Sequence, residues 1–246
     1  MLRSSAALSA FFCLGLFGCS ASSSSTQGAV RSPQQADEPG PGDAAPTAWA
    51  EPSLDGLEAR LSAAGAVELE FAIESSGAVE STLEGRLRWE LGGAVELDAV
   101  GSFAGAEQQL AWRGSADAFE VLVAGALTAS GPRPAGLEQA IVLGLTRQGL
   151  LHNLAMATAG AMPSYLEGQA STALGSADPK VGAVETLGED EARPLHFGVR
   201  VDGQDVGEAT LWFARDGLPV ERRQTVHFPE GDMRVVERYT KWQLSE

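Results

Sequence analysis

The chain has 246 residues, of which 44% are hydrophobic, and its formal net charge is −16. This acidity argues against a nucleic-acid partner and against broad docking on anionic lipid headgroups, because both surfaces would repel the protein. The two cysteines, Cys13 and Cys19, both lie near the N-terminus, so we expect no disulfide in the folded part of the chain.

The N-terminus has the features of a signal peptide. Arg3 supplies a positive charge, and residues 6–17 form an apolar run that is too short to span a bilayer as a helix. Leu16-Phe17-Gly18-Cys19 resembles the lipobox of bacterial lipoproteins, a Leu-x-Gly/Ala-Cys pattern. The resemblance implies cleavage between Gly18 and Cys19 and a diacylglyceryl group on the Cys19 thiol, with fatty acids such as palmitate. An ordinary secretory cleavage region and a buried N-terminal helix are the alternative interpretations.

Residues 19–51 are predicted to form a lipidated cysteine followed by a disordered tether. The segment is rich in serine, proline and glycine, and it has too few large apolar side chains to bury a core. The predicted division is therefore a signal peptide at 1–18, the tether at 19–51 and one domain at 52–246. By analogy with Gram-negative sorting, Ser20 favours delivery to the outer membrane, because the usual retention signal at that position is an aspartate.

These features predict a lipid-anchored, monomeric protein of the cell envelope, held in the outer membrane and facing the periplasm or the cell surface. Acyl chains attached to Cys19 would hold it there, since each buried methylene contributes about 0.8 kcal/mol. The expected partners are the membrane itself, the lipoprotein-processing and sorting machinery, and a lipid or lipoprotein ligand. No nucleic acid is expected.

The domain is predicted to begin with a helix and a meander of antiparallel strands. Ser53 is a candidate N-cap, and the apolar residues that follow at helical spacing are Leu54, Leu57 and Leu61. Apolar and charged residues then alternate, which is typical of strands with one buried and one solvent-facing side. This alternation runs through Val67–Ile73, Leu83–Leu91, Val95–Ala99, Leu110–Trp112 and Phe119–Val123.

A helical segment is predicted to interrupt the strands at residues 135–161. It is apolar on more than one side, which is typical of a helix that is buried or that covers an apolar surface. Gly144, Gly149 and Gly160 predict breaks within it. Residues 175–193 are acidic and are predicted to form a solvated loop, which is favoured over a calcium site because the alternating ligand spacing of calcium loops is missing.

The C-terminal hairpins carry a second family resemblance. Thr210-Leu211-Trp212-Phe213, then Asp216-Gly217-Leu218-Pro219-Val220, then a Gly231-Asp232 turn and a final strand with Tyr239 resemble the closing hairpins of LolA/LolB-like lipoprotein carriers and of the LppX/LprG lipoproteins. The resemblance implies an α+β fold, in which a curved antiparallel sheet forms a half-barrel and helices cover its concave face. It also implies that this apolar face holds acyl chains.

The expected function is therefore binding or relay of a lipid or acylated ligand in an apolar cavity. Periodicity alone selects candidate cavity residues, which are Leu87, Trp89, Leu97, Trp112, Phe119, Leu145, Leu151, Phe197, Leu211 and Phe213. The alternative is a structural or protein-interaction lipoprotein with a fully packed sheet and no ligand. An apolar cavity open at one rim would favour the carrier over this alternative.

Motifs for catalysis are missing from the sequence. His152, His196 and His227 are scattered and do not have metal-ligand spacing, and His196 and His227 are predicted on polar faces of strands. The chain has no nucleophile elbow, phosphate-binding glycine loop or dinucleotide fingerprint. We therefore predict no enzymatic activity, no cofactor and no metal site. A convergent polar cluster inside the cavity would favour an enzyme instead.

Overall fold

The computed structural model describes residues 48–159, 174–201, 203–229 and 231–245. The lipobox and almost all of the tether, and the predicted break at Gly160, lie outside these residues. Three helices are described, α1 (Leu54–Ala63), α2 (Leu137–Thr146) and α3 (Leu150–Thr158). Twelve strands are described, β1 (Ala66–Gly77), β2 (Ser81–Glu90), β3 (Val95–Phe103), β4 (Ala106–Gly114), β5 (Ala118–Val123), β6 (Ala126–Pro132), β7 (Leu174–Val181), β8 (Glu185–Leu187), β9 (Asp190–Val201), β10 (Gln204–Phe213), β11 (Pro219–Phe228) and β12 (Gly231–Ser245).

The strands form one open antiparallel sheet in the order β6-β5-β4-β3-β2-β1-β12-β11-β10-β9-β7, and β8 pairs with β9. The first and last strands of the meander, β1 and β12, are neighbours at its centre. The sheet does not close, because the end strands β6 and β7 do not pair with each other. The predicted fold class, an antiparallel half-barrel with helices over its apolar face, is confirmed.

Alternation along the strands gives the sheet one apolar and one charged face. In β1 every second residue from Val67 to Ile73 is buried, while the residues between them are partly exposed. The outer face carries cross-strand ion pairs such as Arg113–Asp98, with 2.5 Å between Arg113 Nη2 and Asp98 Oδ1. The inner face is buried against the helices, so the sheet has the one-sided core predicted from the sequence.

Helix α1 begins where the sequence predicts. The Ser53 side chain accepts a hydrogen bond of 3.2 Å from the backbone N–H of Gly56, which is the expected N-cap interaction. The three apolar residues at helical spacing, Leu54, Leu57 and Leu61, are all buried. The predicted cap and buried face are therefore confirmed.

The predicted helical segment is two helices rather than one, and their break is only partly as predicted. The chain turns between Thr146 and Leu150, at Gly149, where the backbone φ is 156°. Gly144 lies inside α2, and a Cβ on it would be 3.0 Å from both Gly149 O and Leu150 Cα. Gly144 therefore permits the close packing of α3 on α2, and the prediction of a break there was wrong.

The prediction of a loop at residues 175–193 was also wrong. This range contains most of β7, all of β8 and the start of β9. β7 is an edge strand that pairs only with β9 and carries Pro179 and a positive φ at Asp178, both of which protect a free edge from further pairing. Because an edge strand of this kind buries little, it lacks the alternation by which the other strands were predicted.

A buried arginine at the end of α2 forms ion pairs with α1. Arg147 Nε lies 2.5 Å from Glu58 Oε1, and Arg147 Nη2 lies 2.9 Å from Asp55 Oδ1. Thr146 donates a hydrogen bond of 3.0 Å to the same Glu58 oxygen. The Arg147 and Glu58 side chains are 5% and 19% exposed, so this ion pair lies largely out of water, whereas Asp55 is exposed. Among the described residues, no helix is long and apolar enough to cross a membrane.

Replacing Arg147 by methionine tests this contact between helices. We expect Arg147→Met to lower the free energy of unfolding by about 2–3 kcal/mol, because it leaves Glu58 partly buried without its cation. The measurement is urea unfolding of the full chain. Arg88→Met is the control, since Arg88 forms an exposed ion pair with Glu90 and its loss should cost less than about 1 kcal/mol. Equal losses in the two variants would contradict the assignment.

Candidate functional site

All ten candidate cavity residues are buried, with exposed fractions from 0% to 9%. Leu87, Leu97 and Trp112 are register partners across β2, β3 and β4, so they form one continuous apolar row. Trp112 also stacks on Phe119, with ring centroids 5.9 Å apart and an angle of 6° between the rings. The structure thus brings these four aromatic and aliphatic side chains together on one half of the inner face.

The helices pack directly on this half of the sheet. Trp112 Nε1 donates a hydrogen bond of 3.0 Å to Thr158 Oγ1, at the last turn of α3. Helix α2 is buried along eight of its ten residues, including Leu145, and Leu151 on α3 is also buried. Burial alone does not separate a core position from a ligand contact, so the ten residues remain predictions as ligand contacts.

The other half of the inner face contains Phe197 on β9 and Leu211 on β10, with Phe213 at the end of β10. Leu211 pairs in register with Arg222 of β11, and Arg222 pairs with Glu237 of β12. Two charged residues therefore separate the apolar halves of the face. The periodicity of the sequence did not select these two residues.

Arg222 and Glu237 form a fully buried ion pair. Arg222 Nη2 lies 2.8 Å from Glu237 Oε1, and the two side chains are 1% and 3% exposed. Tyr239 donates its hydroxyl proton to the other carboxylate oxygen of Glu237. Arg222 Nη1 donates a hydrogen bond of 2.8 Å to Gln224 Oε1. We call these four residues, Arg222, Gln224, Glu237 and Tyr239, the inner polar cluster.

The sequence carried a signal for this cluster. Strand β11 reads Glu221-Arg222-Arg223-Gln224, so both faces of the strand are polar at its middle. A strand with one buried side must then place a polar pair inward. The inward pair is Arg222 and Gln224, and the outward residue Arg223 lies over the Trp212 ring at 4.7 Å from its centroid.

The inner polar cluster is arranged for holding rather than for proton transfer. Burial and the neighbouring carboxylate of Glu237 raise the pKa of Tyr239 well above its ordinary value, so the phenol stays protonated and cannot act as a base. Arg222 keeps its charge, because Glu237 and Tyr239 raise its pKa against the opposing effect of burial. Both carboxylate oxygens of Glu237 are engaged. The cluster can donate and accept hydrogen bonds, but it contains no activated nucleophile.

The link between α2 and α3 lies on this cluster. A Cβ on Gly149 would be 3.1 Å from Arg222 Nη2 and 3.3 Å from Glu237 Oε1, so a side chain there would crowd the ion pair. His152 lies one turn further along α3. Part of its side chain is exposed to solvent, and protein atoms surround the rest of it. Desolvation and then the positive charge of Arg222 lower the pKa of His152, which therefore adds no positive charge near neutral pH.

An open groove of about 460 Å³ lies at one rim of the inner face. Its walls are Leu61 and Ser62 of α1, Val142 of α2 and, on the strand side, Trp89 with the exposed Leu91. Leu61 and Trp89 are 0% and 1% exposed, so the floor of the groove is also part of the core. Pockets that hold small molecules have volumes of roughly 300–1,000 Å³ and mainly apolar linings.

A polar clamp forms the opposite edge of the groove. Glu138 of α2 accepts hydrogen bonds from Arg133 Nη2 at 2.7 Å and from the backbone N–H of Gly92 at 3.1 Å. Arg133 Nη1 also donates to the carbonyl oxygen of Gly93 at 2.9 Å. Burial raises the pKa of Glu138, but hydrogen bonds and the Arg133 charge outweigh this effect, so its pKa is lower than 4.5.

The remaining predicted sites stay apart. His196 and His227 are exposed on the outer face, where they contact Thr210 and Asp232. Within the described ranges, no group of three or more metal-ligating side chains is suited to hold a metal ion. Gly18 and Cys19 lie outside the described residues, so the lipid attachment and cleavage sites remain predictions.

Glu138→Gln tests the clamp at the groove. We expect it to lower the free energy of unfolding by about 1 kcal/mol at pH 7. Because the folded protein lowers this pKa, the stabilisation is present above pH 4.5 and is lost as the pH falls through the folded pKa. The measurement is urea unfolding between pH 7 and about pH 3, with the exposed Glu84→Gln as control. A difference from the wild type that does not shrink on acidification would contradict the prediction.

Comparison with known proteins gives structural neighbours. No protein-family model matches the chain, and no curated protein matches it. Lipoprotein LppX of Mycobacterium tuberculosis has 14% identity, with 75% of this chain and 92% of that chain covered and a TM-score of 0.41. A β-barrel-like DUF1849 protein of Brucella abortus has 12% identity, coverages of 74% and 99% and a TM-score of 0.34. A LolA superfamily protein of Nitrosomonas europaea has 11% identity, coverages of 78% and 92% and a TM-score of 0.29.

LppX and a LolA superfamily protein, the two groups that the C-terminal hairpins resemble, are both among these neighbours.

Proposed function

We propose that this chain is a lipid-anchored protein of the cell envelope whose domain binds or relays a lipid or an acylated ligand. The observation that carries the proposal is the groove at the rim of the inner face, whose floor of Leu61, Trp89 and Val142 continues into the apolar core. An acyl chain in this groove would remove apolar surface of both the ligand and the protein from water. Each Å² of apolar surface buried contributes roughly 25 cal/mol to the free energy of binding. The groove opens at a rim, as a carrier requires.

The residues that line the groove give it an apolar side and a polar side. Leu91 lines the groove and is 59% exposed. Leu61 and Trp89 lie at its floor. The polar edge with Glu138 leaves one side of the mouth in contact with water.

The lipobox supports the anchored state. Leu16-Phe17-Gly18-Cys19 fills each position of the pattern, and we propose Cys19 as the acylated residue with cleavage after Gly18. We also propose the division into signal peptide (1–18), tether (19–51) and domain (52–246), and a place in the outer membrane facing the periplasm or cell surface. The tether would hold the domain roughly 30 Å from the membrane, as a flexible chain of this length does.

A second candidate is a protein-interaction lipoprotein without a ligand. The observation that favours it is the complete burial of the ten candidate residues together with the eight buried residues of α2. Helix α2 occupies the place where a deep cavity would be. The two candidates differ in one measurable property, which is the binding of acyl chains.

We propose that the domain is not an enzyme. An inward polar cluster does exist, but its acidic and basic members neutralise each other, and the raised pKa of Tyr239 keeps its hydroxyl protonated. The inner polar cluster therefore contains neither the activated nucleophile nor the general base that catalysis needs.

The anchor is tested by labelling. In cells of a lipoprotein-processing bacterium fed a palmitate analogue, we expect the full chain to incorporate the label and Cys19→Ser to lose it, because only the thiol of Cys19 is positioned for transfer. Cys13→Ser is the matched control, since Cys13 lies in the predicted leader. Label that survives Cys19→Ser, or is lost in Cys13→Ser, would contradict the assignment.

The groove is tested by filling it. Ser62 is exposed and lines the groove, whereas the next residue, Ala63, is exposed but lies outside the lining. We expect Ser62→Trp to weaken binding of a fluorescent C12 fatty acid about tenfold, because the indole occupies the space of several methylenes at about 0.8 kcal/mol each. Ala63→Trp should leave the affinity unchanged within about twofold.

The measurement is a fluorescence titration of the full chain carrying Cys19→Ser, so that no attached acyl chain competes. Unfolding curves of both tryptophan variants verify that the fold is retained. If the unmodified groove binds no fatty acid at all, the interaction-module candidate replaces the carrier. If Ser62→Trp leaves the affinity unchanged, the probe binds elsewhere, and if both variants weaken binding equally, the loss is not specific to the groove.

A further inference from the structure

Arg222 carries buried N–H groups without hydrogen-bond partners. Across residues 48–159, 174–201, 203–229 and 231–245, three buried side-chain atoms lack such a partner, and these are Arg222 Nε, Arg222 Nη2 and Asn153 Oδ1. Nη2 lies 2.8 Å from Glu237 Oε1 as an ion pair but not in hydrogen-bond geometry, and Nε has no hydrogen-bond partner. Folded proteins pair nearly all buried donors, so an exception on an inward-facing guanidinium indicates a role beyond packing.

The surroundings of this guanidinium carry no net charge. The positive charge of Arg222 is balanced by the negative charge of Glu237, whose second oxygen is held by Tyr239. The register neighbours on either side of the pair are Leu211 and Ile73. The unpaired Nε–H is therefore a donor on a charged group, in a buried environment whose charges already sum to zero.

We propose that Arg222 is the polar subsite of the acyl-ligand site, and that it takes an uncharged oxygen acceptor, such as an ester carbonyl, in preference to a carboxylate or phosphate. This inference rests on the proposed binding of acylated ligands. A carbonyl oxygen accepts the free N–H and leaves the charge balance intact. A carboxylate would add a buried negative charge beside Glu237 without a second cation, which is costly in an apolar interior.

Access to the subsite depends on the link between α2 and α3. Both free nitrogen atoms are buried, so a ligand oxygen reaches them only when the covering chain moves. The residue that lies against Nη2 is Gly149, which has no side chain. A Cβ at this position would be only 3.1 Å from Nη2. We expect displacement of this backbone link to give a ligand access to the guanidinium at Nη2.

The experiment compares three C12 probes on the full chain carrying Cys19→Ser, namely dodecane, methyl laurate and laurate. Dodecane has no acceptor, methyl laurate has an uncharged carbonyl and laurate has a carboxylate. Each probe displaces a fluorescent acyl reporter from the protein. We expect methyl laurate to bind about tenfold more tightly than dodecane, which is the value of one hydrogen bond to a charged donor, and to bind more tightly than laurate.

The deciding variant is Arg222→Met combined with Glu237→Gln. It removes both charges together, so neither is left buried alone, and it keeps an acceptor for the Tyr239 hydroxyl. We expect the preference for methyl laurate over dodecane to disappear, while dodecane affinity stays within about twofold. The control is Arg223→Met, since Arg223 is the next residue of β11 but faces outward and contacts Glu221. It should retain the preference.

The outcomes separate the subsite from the proposed function. Equal affinities for methyl laurate and dodecane in the unaltered cluster would overturn the subsite and leave acyl binding intact. A preference that survives in Arg222→Met/Glu237→Gln would also overturn it. Laurate as the tightest probe would show an anion site and overturn the preference for uncharged acceptors. If none of the three probes binds, the proposed function fails and the subsite fails with it.

Discussion

An open sheet with one apolar face must cover that face without closing on itself, and most features of this molecule follow from this constraint. Closure would require β6 to pair with β7, and these strands remain separate edges. Helices α2 and α3 therefore bury the inner face. Because α2 has the sheet on one side and helices α1 and α3 beside it, it is apolar almost all the way round. Arg147 and Gly144 are consequences of the same constraint, since one ties α1 to α2 and the other lets α3 approach α2 closely.

The inner polar cluster does not follow from this constraint. Burying an arginine and a glutamate takes two ions out of water, and replacing such a pair with apolar residues is often neutral or stabilising by about 1–4 kcal/mol. The register neighbours Leu211 and Ile73 show that apolar side chains fit this part of the sheet. A pair that packing does not require, with donors left unpaired, is better explained by what it can bind than by what it stabilises.

The predictable part of the fold was set by local alternation. Strands β1 to β3 and the cap of α1 were predicted because burial on one face leaves a period of two, and Ser53 leaves a capping signature. Edge strands β7 and β8 gave no such signal, because they bury too little. Glycines were ambiguous for a different reason, since the sequence does not distinguish Gly144, which makes room for a neighbouring helix, from Gly149, which turns the chain.

The candidate site was predictable only in its apolar part. Alternation assigns aliphatic and aromatic residues inward and charged residues outward, so it selected Leu87 and Trp112 and passed over Arg222 and Glu237. The rule fails where both faces of a strand are polar, and β11 is such a strand. The polar stretch of β11 indicates an inward polar residue, but its partner is known only from the register, because Arg222 pairs with Glu237 on the neighbouring strand.

A ligand that occupies the groove and also reaches the inner polar cluster must pass the helices that cover the inner face. Leu61 and Trp89 belong both to the groove floor and to the core, so a chain that lengthens inward from the groove must exchange contacts with α2 rather than enter empty space. Such an exchange changes the free energy little, since an acyl chain and an apolar helix face bury similar apolar surface against the same strands. What the helix cannot offer Arg222 is an oxygen in hydrogen-bond geometry, and a ligand that carries one therefore gains at the point where the helix contributes least.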